Sequence, residues 1–124
     1  MTGLTKLAIG MALIAAAPEV QAAEPWNGTD KILGTTAVVA LVLDWGQTRH
    51  IATHPDLYHE TNVLLGEHPS VGRVNTYFMG AITGTLLLAN WLPAGGRKTF
   101  LGTLTAVELI AVGKNNALGI RIDI

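Results

Sequence analysis

Three long apolar segments, nearly free of charge and separated by short polar breaks, set what this chain can become. The first runs from Lys31 to about Thr53 with its apolar part at Ile32–Leu43. The second runs from about Val71 to Trp91, most apolar between Tyr77 and Leu92, and the third from about Lys98 to Val112. A helix needs roughly 20 such residues to cross ~30 Å of hydrocarbon. Charged residues make up only 14% of the 124, hydrophobic ones 49%, and the mean hydropathy is +0.38. A soluble domain usually carries roughly 25% charged residues, because a small fold has much surface to cover with polar groups. The expected fold is therefore all-α: a helical transmembrane bundle of about three spans, forming one domain over residues 24–124, with the lipid bilayer as its main partner.

Residues 1–23 have the order of a secretory signal: Lys6, an apolar stretch from Leu7 to Ala17, Pro18, then small residues around Ala22. That stretch is too short to span a bilayer, which favours a cleaved signal over an uncleaved anchor. The implied location is the bacterial inner membrane, multi-pass, with the chain after Ala23 starting outside. Local signals then set the boundaries. Asp30 is expected to cap the first helix and Pro55 to end it, and Ser70 to cap the second. Ala94-Gly95-Gly96 reads as a tight reversal, and Gly113-Lys114-Asn115-Asn116 as the stop of the third helix. Trp45 is expected near an interface, residues 55–69 as a structured interfacial loop, and GIRIDI as an extended tail with nothing to pair with.

Several chemistries are excluded. With net charge −1 and no basic cluster, no nucleic-acid partner is expected. The absence of cysteine removes disulfides, thiolate metal sites and cysteine nucleophiles. No phosphate loop or nucleophile elbow occurs, and no cofactor is identified.

Two constellations remain. Asp44 and Glu108 are carboxylates in apolar segments, where an ionised group costs at least ~2.5–3.5 kcal/mol, so they are expected to face the bundle interior. Asp44, Gln47 and Thr48 share one helix face, and Thr105 aligns with Glu108. One reading makes them polar staples, joined by Asn75, that fix helix register. The others make them a proton- or ion-handling pair, or an acid and a base for hydrolysis, with Glu60 as a further catalytic candidate. The second constellation is histidine: His50 and His54 have the i, i+4 spacing of zinc ligands, with His59 as a third candidate. Gly80 and Gly84, one turn apart on the second segment, are candidates for close helix packing.

The string Asp44-Trp45-Gly46-Gln47-Thr48, followed by Glu60-Thr61-Asn62, Leu65-Gly66, His68-Pro69-Ser70 and Val74-Asn75-x-Tyr77-Phe78, resembles a group of short membrane proteins of proteobacteria and their phages. The likeness reaches Glu108 and the Val112-Gly113-x-Asn115 exit, about residues 40–118. Val63 stands where that group usually has proline. The resemblance implies a membrane fold and weight on Asp44, Glu60, Asn62 and Glu108; it implies no reaction. The leading functional expectation is a non-enzymatic envelope scaffold, accessory or phage-related factor, acting on a membrane-protein partner or as a homo-oligomer. Its rivals are a holin-like pore or lysis protein, and an intramembrane metal- or acid-dependent enzyme.

Overall fold

The computed structural model describes residues 23–123; the signal sequence expected at residues 1–23 falls, but for Ala23, outside them. The described residues form three helices and no strand: α1 (Gly28–Thr53), α2 (Val71–Trp91) and α3 (Ala94–Ala117). They run up, down and up. α1 is the central helix and packs along both others, whereas α2 and α3 touch little beyond their junction. The middle of the bundle is apolar: Val38 and Leu41 of α1 meet Phe78, Ile82 and Leu86 of α2 and Leu101 of α3.

Each helix starts and stops for a local reason. α1 begins one turn earlier than Asp30, because Asn27 is its cap. The Asn27 side chain accepts from the Asp30 amide at 2.8 Å, and Asp30 accepts from the Asn27 amide at 3.0 Å, a reciprocal capping box. Pro55 ends α1 as expected, and Ser70 caps α2 through the Arg73 amide at 3.1 Å. α3 is longer than the sequence suggests at both ends. The reversal is made by Leu92 and Pro93, and Ala94-Gly95-Gly96 already form the first turn of α3, where the Arg97 amide bonds to the Pro93 carbonyl at 2.8 Å. At the far end Gly113 stays helical, since one interior glycine costs only about 1 kcal/mol. The stop is Gly119, at φ +82°. The Gly119 amide bonds to the Asn116 carbonyl and the Ile120 amide to the Asn115 carbonyl, which is the Schellman pattern.

That cap turns the tail back. Ile120 is buried, Ile122 lies over Gly46, and the Asp123 amide donates to the Gly46 carbonyl at 3.0 Å, so the tail docks on α1 rather than extending away. Trp45 also departs from expectation. It is fully buried rather than interfacial, stacked on Phe78 with ring centroids 6.1 Å apart, its Nε1 donating to Asn75 Oδ1 at 2.8 Å. The indole fits there because an interior amide takes its one donor.

No described helix is long and apolar enough to cross a membrane. Length is sufficient: 26, 21 and 24 residues give about 39, 32 and 36 Å at 1.5 Å per residue. What falls short is apolarity averaged around each helix. Asp30, Gln47, Thr48, Asn90 and Arg97 lower that average, and all are buried inside the bundle. Large apolar side chains instead point outward, among them Ile32, Leu87, Trp91, Val107 and Ile110.

Candidate functional site

The up-down-up course collects polar groups at the two ends of the bundle. At the end holding the starts of α1 and α3, Arg97 is completely buried. Its Nη1 bonds to Asp30 at 3.1 Å and to the Pro25 carbonyl, its Nη2 to the Glu24 and Leu92 carbonyls, and its Nε to the Ala89 carbonyl at 2.7 Å. That uses all five guanidinium donors. Two of these acceptors are carbonyls at the α2 C-terminus, which have no partner within their own helix. Lys98 takes the other Asp30 oxygen at 2.7 Å. Trp26 stacks against the guanidinium at 5.0 Å and donates to Asn90 at 3.0 Å. Sequence reasoning saw Arg97 and Lys98 as the one adjacent pair of cations and gave them no structural role. The signal available was topological, since three antiparallel helices put the starts of the first and third at one end.

The opposite end holds a cavity of about 340 Å³ between α1, α3 and the 54–70 loop, with Asp44, Thr48, Glu60, Glu108 and Lys114 in its wall. Thr48, one turn beyond Asp44, donates to its Oδ1 at 3.3 Å. Glu108 of α3 lines the same cavity wall as Asp44, near enough for the two carboxyls to interact. Two carboxyl groups that share a site disfavour each other's ionisation, an arrangement suited to an acid beside a base. The Glu108 Oε2 is buried and has no hydrogen-bond partner. The loop reaches the cavity through Glu60, whose Oε1 accepts the Thr61 and Asn62 amides at 2.9 and 3.0 Å. Asn62 is occupied structurally, donating to the Tyr77 hydroxyl at 3.0 Å and accepting the Leu64 amide. Leu65 is buried and anchors the loop to the core.

Beside the pair, Gln47 donates to the Val112 carbonyl at 3.1 Å and accepts from Asn115 at 3.3 Å, tying α1 to α3. Thr48 and Asn75 bond within and between helices as described. Gly80 and Gly84 face outward with open space where a Cβ would stand, so neither packs against another helix of this chain.

The histidines divide. His50 and His54 stack at the end of α1 with centroids 4.0 Å apart, and Asp123 of the tail bonds to His50 Nδ1 at 3.1 Å. His59 is exposed in the loop, outside that group. Burial pushes the Asp123 carboxyl up, but the bonds from His50 and Thr53 outweigh it and hold the group below the usual carboxylate range. Set against protein families, curated proteins and solved structures, the chain matches none.

Proposed function

We propose that this is a small multi-pass membrane protein whose activity resides in the acidic cavity, where Asp44 and Glu108 act as an acid–base pair on a small polar ligand. Lipid contact follows from the inverted distribution of polarity. A bundle that buries an aspartate and an arginine while turning Leu87, Trp91, Val107 and Ile110 outward suits a hydrocarbon solvent. Intramembrane carboxylates ordinarily face protein or a water-filled cavity, and these two do both. The observation that carries the functional part is that two carboxyls, Asp44 and Glu108, line one cavity wall, with one Glu108 oxygen buried and unmatched. Asp44, Glu60 and Glu108 outnumber Lys114, so the ligand class that fits is cationic or rich in hydrogen-bond donors. In a hydrolytic reaction the base would take a proton from water and the protonated partner would deliver one to the leaving group.

A hydrophobic carbodiimide, which modifies protonated carboxyls in apolar surroundings, tests the pair in membranes. Labelling at Asp44 or Glu108, abolished in Glu108→Gln, supports the reading; no labelling at either position rejects it. The chain contains no cysteine, so single cysteines report topology cleanly. Leu87→Cys is expected to resist a water-soluble maleimide while Glu67→Cys reacts.

A pore through one chain is disfavoured, because Phe78 and Leu65, members of the apolar core, close off part of the cavity wall. A helix-contact role draws on one feature, the open outward face of α2 at Gly80 and Gly84. Cross-linking of Gly80→Cys into dimers or to a second membrane protein would favour it, since small residues let helices approach closely in lipid.

A further inference from the structure

At the end of α1, sharing no residue with the acidic cavity, the chain carries a second constellation that the proposed activity does not use. We propose that His50, His54 and Asp123 bind one divalent first-row transition ion of the zinc class, through two imidazole nitrogens and a carboxylate oxygen. One potential ligand atom from each lies within 4.8 Å of the others. Ligands around a tetrahedral zinc with bonds of ~2.0–2.1 Å are roughly 3.3 Å apart. Rotamer adjustment of three side chains closes that gap.

Three features of the surroundings prepare these residues as ligands. His54 Nδ1 lies 2.8 Å from the His50 carbonyl, and a carbonyl only accepts. The proton is therefore on Nδ1, which leaves the Nε2 lone pair for a metal, the tautomer control typical of metal-bound histidine. His50 Nδ1 and Asp123 Oδ1 lie 3.1 Å apart, already close to the spacing of two donors on one tetrahedral ion. Thr53 donates to Asp123 Oδ2 at 3.1 Å and fixes the carboxylate in turn. The third ligand arrives by an ordered route rather than by chance proximity. The Gly119 cap reverses the chain, Ile120 is buried, and the Asp123 amide is bonded to the Gly46 carbonyl. An N₂O donor set suits zinc and its first-row neighbours over calcium or magnesium, which prefer oxygen. Three protein ligands leave one position open for water or a further group. Bound metal would also clamp the tail to α1.

The experiment uses full-length protein purified in detergent without a polyhistidine tag, stripped of metal, and titrated with Zn²⁺ by calorimetry. Elemental analysis counts the ions retained. The expected result is one ion per chain, weakened at least about tenfold in both His54→Ala and Asp123→Asn. His59→Ala and His68→Ala should stay within about twofold of the parent. Gly46→Ala supplies a test that leaves every ligand in place: its methyl group displaces Ile122 and with it Asp123, so affinity should fall while helical content by circular dichroism holds. Absence of saturable binding, full affinity in Asp123→Asn, or loss of binding in His59→Ala overturns the site. Should His54→Ala fail to fold, the Asp123→Asn and Gly46→Ala results decide alone.

Discussion

Both ends of this bundle gather polar groups, and they treat them in opposite ways. At the Arg97 end every guanidinium donor has an acceptor, both Asp30 oxygens face cations, and Trp26 closes the assembly. At the Asp44 end two carboxyls share one cavity wall and one buried Glu108 oxygen lacks a partner. A satisfied buried network fixes one arrangement of helices. A partly satisfied one is tolerated where something else is meant to complete it. On the proposed reading, the first end is architecture and the second is where the chemistry takes place.

Arg97→Ala is the strongest way to break this contrast. It strands Asp30 beside Lys98 alone and uncaps the α2 carbonyls, so a loss of about 3–5 kcal/mol is expected. Denaturation in micelles, followed by helical circular dichroism, would read it. A loss below about 1 kcal/mol would show that the clamp does not hold the helices. Lys98→Ala should cost far less, because its ammonium is one-third exposed and its place is taken by water. Gly119→Ala comes next: a left-handed residue that gains a Cβ costs about 1 kcal/mol, here by loosening the tail. Its signature is protease sensitivity confined to residues after Leu118. Gln47→Ala, which removes the bonds to Val112 and Asn115, should cost about 1 kcal/mol, the usual net worth of such hydrogen bonds.

Helix number, order and most boundaries were legible because apolar length, Pro55 and Ser70 are local signals. The Ala94-Gly95-Gly96 reversal misled because turn propensity is weak beside a proline that stops one helix and an arginine that must enter the next. The Gly119 stop was missed because Gly113 and the paired asparagines imitate a helix end more strongly. Asp44, Glu60 and Glu108 were legible as carboxylates in unusual settings, and the structure brings them to one cavity. The Arg97 clamp was not, since no local pattern says which cation will meet which anion 67 residues away. Asp123 was hidden for the same reason: its neighbours in sequence read as a loose tail, and only the Schellman turn brings it to His50. Apolar length suggested membrane spans, but averaged over its length no described helix is apolar enough to cross a membrane.

The smallest expected change in stability belongs to the pair itself. Glu108→Gln keeps a hydrogen-bonding group against Asp44 and removes a carboxyl that burial disfavours, so stability should move by no more than about 1 kcal/mol in either direction. Asp44→Asn should behave alike. If the Asp44 end were a staple like the Arg97 end, either substitution would lower stability as a broken buried network does, by several kcal/mol. If it is a site, both variants will fold and insert normally while carbodiimide labelling at Glu108 disappears. Measuring stability and labelling on the same preparations separates the two cases, because a staple couples them and an acid–base site does not.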